Sequence, residues 1–232
     1  MKKYYEAYDK RYKQVHNIGL SWSTYTNTKL VEDIIKKYNI EKENMLEIGC
    51  GEGRDARYLL NKGYYVIATD ISKEAIKYCI KSDLEHKENY KVLNVLEDKS
   101  SVEKFGFIYS VACLHMFVLD EDRNKFYNYI YNSLSNNGYC LLLTMGDGKK
   151  ETKSDISKSF DNVERIHQES NKTIKIAATS CRIVNFETLF NEVKQNNFDI
   201  IEHGITHIEN HFDKLMYILI KKHPLSWLNS IT

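Results

Sequence analysis

The sequence predicts an α/β fold: a seven-stranded, mostly parallel sheet with an antiparallel C-terminal hairpin and helices on both faces. Three observations carry this. Strand and helix periods alternate over residues 30–118. A turn with glycines at 49, 51 and 53 separates an apolar run from a charged, helix-like segment. Two apolar runs, 198–205 and 215–220, are joined by only a short link, which favours antiparallel pairing.

Each element follows in order. Leu30, Ile34, Ile35 and Tyr38 recur at helical spacing, Met45–Ile48 is a short apolar run, and Arg54–Asn61 reads as a helix that Gly63 stops. A second strand at 64–69 follows at once. Ser72 caps a helix running toward Ile80, and 90–93 and 105–112 are the third and fourth strands. Residues 123–134 are helical, and Asn136-Asn137-Gly138 turns the chain into a fifth strand at 139–144. Strands separated by helices imply right-handed crossovers and a sheet buried on both sides. Residues 146–175 are polar, 185–196 look helical, and the single proline, Pro224, follows the last strand.

With 232 residues, 42% hydrophobic and 28% charged, one domain with a full core is expected over 1–232. Within it, residues 1–25 form an N-terminal cap and 146–182 an insert after the fifth strand. Thirty-three basic against thirty-two acidic residues leave a formal charge of +1, so no strong field favours nucleic acid or anionic lipid. The N-terminus lacks an apolar leader core, and no apolar run approaches the ~20 residues that span a bilayer. Five cysteines with no CxxC pair argue for reduced thiols, hence a cytoplasmic protein, a monomer or weak dimer without a metal centre.

The turn itself reads Glu47-Ile48-Gly49-Cys50-Gly51-Glu52-Gly53. In open parallel sheets the first strand-to-helix turn cradles ligands, and glycine lets backbone approach them closely. A dinucleotide fingerprint would place its third glycine at 54, where Arg54 stands, and no Gly-Lys-Ser/Thr follows for a phosphate loop. Asp70 ends the second strand 17 residues after Gly53, where a carboxylate can accept both hydroxyls of a ribose.

With LEIGCGEG and Asp70 in this order, the chain resembles the class I S-adenosylmethionine-dependent methyltransferases over about residues 30–144. The resemblance implies a Rossmann-like fold and S-adenosyl-L-methionine as cofactor, leaving S-adenosyl-L-homocysteine as product. It implies that Glu47, Ile48, Gly49, Cys50, Gly51 and Gly53 form the cofactor turn, with 49–51 lining the methionine part. Asp70 would bind the ribose and Ile71 pack on adenine. YKVLNVLED resembles the adenine-gripping segment, giving Asn94, Val95 and Leu96, with Asn94 where an aspartate is common. A neutral amide can still accept from the adenine amino group. FGFIYSVACLHMF resembles the fourth motif, placing the Val111 carbonyl near the methionine amino group, with Gly106 at the usual early aspartate. Arg54 resembles the tellurite-resistance and thiopurine methyltransferase branch. An arginine in a helix's first turn opposes the helix dipole and calls for an anionic partner, either Glu47 or the cofactor's carboxylate.

Outside the motifs, His115 at the mouth of the fourth strand is a candidate base, or a hydrogen-bonded histidine packed under the next helix. Trp22 is a cofactor-covering candidate, Tyr25 a catalytic one, and His16 a substrate-binding one; all need the N-terminal segment to fold over the site. Tyr4, Tyr8 and Tyr12 make an aromatic helix face that packing alone would also explain. Arg182 could fork onto a substrate carboxylate or form a surface ion pair. His203, His207 and His211 lie four apart in a strand, about 13 Å per step, too far to share one ion. The insert reads as a lid or a solvated loop.

The leading expectation is a methyltransferase with a small-molecule substrate whose acceptor atom is O, N, S or a metalloid. The alternatives are an RNA or protein methyltransferase, which would want a basic groove, and a non-catalytic S-adenosylmethionine-binding protein.

Overall fold

The computed structural model describes residues 3–22, 26–40, 42–99, 103–167, 169–209 and 212–224. A 3-10 turn at Tyr4–Glu6 leads into α1 (Ala7–Asn17), followed by α2 (Lys29–Lys37), β1 (Met45–Ile48), α3 (Arg54–Asn61), β2 (Val66–Asp70), α4 (Lys73–Ser82) and β3 (Tyr90–Val92). Next come β4 (Phe105–Val111), α5 (Asp120–Ser133) and β5 (Leu134–Met145). Four short strands then form an excursion: β6 (Thr152–Lys153), β7 (Asn162–Ile166), β8 (Thr173–Ala177) and β9 (Arg182–Ile183). The chain returns through α6 (Phe186–Gln195), β10 (Phe198–Ile208) and β11 (Phe212–Lys222).

The seven long strands lie in the order β3-β2-β1-β4-β5-β11-β10. Pairings from β3 through β5 are parallel, while β11 runs against both β5 and β10, as the short link between the last two strands requires. Both faces are covered, so β1 and β4 are buried along their whole length. Ile108, Cys140 and Leu142 face α5 and α6, packing with Phe126, Ile130, Leu189 and Val193. Phe107, Tyr109, Leu141 and Leu143 face the other way, onto Val31, Ile34 and Ile35 of α2 and Leu59 of α3. The chain order reverses between β1 and β4, and open α/β sheets bind ligands at the carboxyl ends of the strands at such a reversal.

Local signals hold at most ends. Ser72 caps α4 by accepting from the Ala75 amide at 3.1 Å, and Gly63 closes α3 with φ +83°. Asn136-Asn137-Gly138 lies inside β5 rather than ahead of it: Phe105 pairs with Leu134 and Phe107 with Tyr139, so the extra residues bulge out of the ladder. A Cβ on Gly138 would stand 2.9 Å from the Gly106 carbonyl oxygen, so the backbones can approach this closely only at a glycine.

The polar insert is ordered. β7 and β8 pair as an antiparallel hairpin, and β6 pairs with β9. Along β8 the residues Ile174 and Ile176 alternate inward and pack on Val15 of α1, with Leu20 and Trp22 against them. Tyr8 donates to the Ser180 carbonyl at 2.7 Å, Gln14 accepts from the Ala177 amide at 2.8 Å, and Lys10 donates to the Phe160 carbonyl at 2.7 Å. N-terminal helix and insert thus form one packed body at the rim of the sheet. Among the described residues no helix is long and apolar enough to cross a membrane.

Candidate active site

The glycine turn is tied down before it meets any ligand. The amides of Gly49 and Cys50 both donate to the Thr69 carbonyl of β2, at 2.8 and 2.9 Å. Gly49 and Gly51 have φ of +76° and +55°, where an L side chain is strained. Space forbids one as well: a Cβ would stand 2.7 Å from the Cys113 sulfur at position 49 and 2.6 Å from the Tyr12 hydroxyl at position 51. Asp70 closes the turn, accepting from the Gly51 amide at 2.9 Å and the Ser72 amide at 2.8 Å. Burial outweighs these bonds and pushes its carboxyl up to about 6.

A cleft of about 570 Å³, partly open to solvent, lies against this turn. Ile48, Gly49, Asp70 and Ile71 form its floor, Leu93, Asn94, Val95 and Cys113 its wall, and Tyr5, Tyr8, Tyr12, Met116 and Phe117 its cover. Six of the residues expected at a cofactor therefore share one cleft. Leu96 turns into the core beneath it, and its amide donates to Asn94 Oδ1 at 3.1 Å. Val111 is buried at the end of β4, and the Cys50 thiol points to the Gly51 carbonyl at 3.7 Å. Glu47 lies buried under the turn, where Tyr109 donates to it at 3.2 Å; burial and the nearby charge of Asp55 raise its pKa.

The partner of Arg54 differs from either candidate. Its guanidinium reaches Asp55 Oδ2 at 2.7 Å and donates to Thr28 Oγ1 at 2.7 Å, while Asp55 also accepts from the Thr28 amide at 2.6 Å. The carboxylate that offsets an arginine in the first turn is the adjacent residue. Asp55 is itself favoured there by the dipole.

A second, wider chamber of about 1260 Å³ adjoins the first and shares Tyr8, Tyr12 and Met116 with it. Ala112, His115, Met145 and Phe212 line it together with Arg11, Trp22, Arg165, His167 and Glu169. Trp22 therefore lines this chamber and not the cleft at the glycine turn. Ala112 has φ +54°, a left-handed conformation for a residue with a Cβ, fixed by its amide on the Leu143 carbonyl at 2.9 Å. His115 sits on a 3-10 turn, Leu114–Met116, and is 5% exposed. Burial, with the charges of Arg123 and Arg11, lowers its pKa to about 3, so the ring is neutral. Among the described residues its Nδ1 has no hydrogen-bond partner. Arg123 fixes the turn: Nη1 donates to the Leu114 carbonyl at 2.9 Å while Nε and Nη2 fork onto Glu192 at 2.7 and 2.6 Å.

Two candidates stand elsewhere. His16 lies 2.7 Å from Glu52 and stacks on Tyr78 with ring centroids 4.8 Å apart, lining neither chamber. Arg182 holds Asp120 at 2.5 Å and the Val118 carbonyl at 3.2 Å, the ion-pair alternative. Tyr25 and His211 lie outside the described residues. His203 is in a strand, as the apolar run at 198–205 implied, with Phe186 and Phe190 around its ring. Sequence reasoning missed Arg11, Glu52 and Arg165. The spacing of Tyr8, Arg11, Tyr12 and Val15 marks one helix face and was the available signal for Arg11; nothing local indicates that Glu52 points inward.

Residues 46–142 match a family model described as a methyltransferase domain. A juvenile hormone acid O-methyltransferase of Bombyx mori is 29% identical over 110 residues, 45% of this chain and 38% of that protein. A methyltransferase of Schizosaccharomyces pombe is 32% identical over 88 residues, 36% of this chain and 59% of its own. The chain thus spans well under two thirds of these relatives. Among solved structures, the 1,6-didemethyltoxoflavin-N1-methyltransferase of Burkholderia thailandensis, crystallised with S-adenosylhomocysteine, aligns with a TM-score of 0.71 at 14% identity, covering 95% of this chain and 89% of its own. An S-adenosylmethionine-dependent methyltransferase of Clostridium acetobutylicum aligns with a TM-score of 0.66 at 13% identity over 95% and 99%. The fold is the Rossmann-like methyltransferase fold.

Proposed function

We propose that the chain is an S-adenosylmethionine-dependent methyltransferase acting on a small molecule. The observation that carries this is the pair of adjoining chambers, one against the glycine turn and Asp70, the other open to solvent, meeting at Tyr8, Tyr12 and Met116. The match of residues 46–142 and the methyltransferase neighbours support it. The small-molecule acceptor draws support from the second chamber beside the cleft and the near-neutral overall charge.

The residues fit the cofactor. Gly49 brings backbone without a side chain to the cleft, Asp70 offers a carboxylate to a ribose, and Ile71, Leu93 and Val95 offer an apolar slot to adenine. Asn94 lines the same cleft, while Glu47, Cys50, Gly53 and Val111 shape the turn and strand ends behind it. When bound, the cofactor supplies a methyl group already activated by a sulfonium. The protein then has to position and dehydrate the reactants, which in well-oriented systems accounts for about 7 to 11 kcal/mol. Tyr8, Tyr12 and Met116 stand where the two chambers join and exclude water there. His115, held neutral and far below neutral pH in pKa, is a weak base, so the site suits an acceptor that arrives without a proton to lose. We assign α1 with the β7–β8 hairpin as the cover that selects the acceptor.

Incubating the protein and methyl-labelled cofactor with a metabolite extract, then with RNA, tests the reading. A labelled small product is expected. Label appearing only in RNA or protein would overturn the acceptor class, and no binding of cofactor by calorimetry would overturn the enzyme.

A further inference from the structure

We infer that the second chamber recognises a carboxylate, so that the acceptor is a small apolar acid seated on Arg11 and Arg165. The inference rests on the methyltransferase reading above and names its substrate class.

Arg11 is 7% exposed, and among the described residues no carboxylate pairs with it. Its Nε and Nη2 are spent on the backbone carbonyls of Ala177 and Ala178 and on Thr179 Oγ1, at 2.5 to 3.2 Å. Its Nη1 makes no hydrogen bond among those residues. The rings of Trp22 and Tyr8 lie 5.1 and 5.3 Å from the guanidinium carbon. Such ring contacts offset a buried cation only in part, because carbonyl dipoles and ring quadrupoles carry no net charge. Arg165 lines the same chamber, its charge adds to the burial that lowers the pKa of Arg11, and among the described residues no carboxylate pairs with it either. Glu169, exposed at the rim, forms no ion pair with either arginine.

Two like charges facing one space, one desolvated, are an unfavourable arrangement that an entering anion reverses. The Nη1 group of Arg11 and the exposed guanidinium of Arg165 leave donors from which a carboxylate can accept. Apart from His115 and His167, the remaining walls are apolar or aromatic, with Tyr8, Tyr12, Trp22, Met116, Met145 and Phe212 among them. His115 adds a second observation. It is nine-tenths buried, lines the chamber, and has a ring nitrogen with no hydrogen-bond partner among the described residues. A neutral imidazole can donate one hydrogen bond to an anion without adding a counter-charge.

The bland account is that Arg11 is only a staple between α1 and β8. Binding of matched ligand pairs separates the two accounts. A set of aryl and alkyl carboxylic acids and their primary amides is titrated by calorimetry into the protein, with and without S-adenosylhomocysteine, and into Arg165→Gln and Arg11→Met. Arg165 is exposed, so its variant keeps the fold even if Arg11→Met does not. At least one acid should bind about tenfold or more tightly than its amide, and Arg165→Gln should remove a large part of that preference. Equal affinity for every acid and its amide, or an acid preference untouched by Arg165→Gln, overturns the inference. The heat of S-adenosylhomocysteine binding is read separately, so a failure of the cofactor reading shows in that arm alone.

Discussion

Glu52, between Gly51 and Gly53 of the glycine turn, accepts the Trp22 amide on both carboxylate oxygens, at 2.8 and 2.9 Å. The same carboxylate lies 2.7 Å from His16 Nε2, and Glu52 is 1% exposed. The turn beside the first cleft is thus bonded to the segment that lines the second chamber.

Replacing Glu52 with Ala should orphan a backbone donor and loosen the cover. A buried donor left without its acceptor costs about 1 to 3 kcal/mol. Denaturant melts should register a loss of that order, and calorimetry a weaker S-adenosylhomocysteine affinity. An unchanged affinity would mean that cover and turn are not coupled.

Cofactor product should protect α1 and the β7–β8 hairpin together. Their shared cluster of Val15, Ile174 and Ile176 and the bonds of Tyr8, Lys10 and Gln14 make them one body. Hydrogen exchange with and without S-adenosylhomocysteine is the measurement. A response limited to the glycine turn would separate the cover from the cleft.

Cofactor affinity should rise with pH and level off above about 6. The folded Asp70 carboxyl is raised to about 6 by burial, and only its ionised form accepts two ribose hydroxyls. Binding therefore favours the deprotonated state, and affinity falls as pH drops through that value. Asp70→Asn should bind more weakly and lose this dependence between pH 5 and 7. A wild-type affinity that is flat over that range would remove Asp70 from the ribose.

Glu47→Gln should stabilise the protein at alkaline pH and not at acid pH. Burial and Asp55 raise the folded pKa of Glu47, so the fold favours its neutral form. That contribution is complete below the ordinary carboxylate value and is lost as pH rises through the raised one. Glutamine mimics the neutral form at every pH. Melting temperatures of the two proteins should converge near pH 4 and differ by about 2 to 4 °C or more at pH 9, in favour of the variant.

Gly51→Ala should abolish cofactor binding, and Tyr12→Phe should restore part of it. The added Cβ meets the Tyr12 hydroxyl at 2.6 Å but the ring carbon that bears it only at 3.6 Å. Removing the hydroxyl clears the space and leaves the strain of φ +55°, about 1 kcal/mol or more. A double-mutant cycle on S-adenosylhomocysteine affinity should give a favourable coupling. Strictly additive effects would mean that Tyr12 is not what the methyl group meets.

The local chemistry of the sequence determined the sheet and the cradle. Apolar runs of strand length alternating with helical periods leave one buried parallel arrangement, and glycines at 49, 51 and 53 followed by Asp70 were legible because backbone conformation and spacing are local properties. The cleft at the glycine turn therefore gathers Ile48, Gly49, Asp70, Ile71, Asn94 and Val95. Partner choice was another matter. Arg54 took Asp55 and Thr28, Arg182 took Asp120, and His16 took Glu52, because an ion pair goes to whichever group the fold brings within about 4 Å, at any separation along the chain. The second chamber was decided in the same way. Ile174 and Ile176 hide a two-residue period inside a polar stretch, and only their docking on Val15 brings Arg11 beside Arg165 and His115. Charges 154 residues apart, Arg11 and Arg165, share one space because α1 and the insert bury a common apolar stripe, a tertiary event that no local pattern encodes.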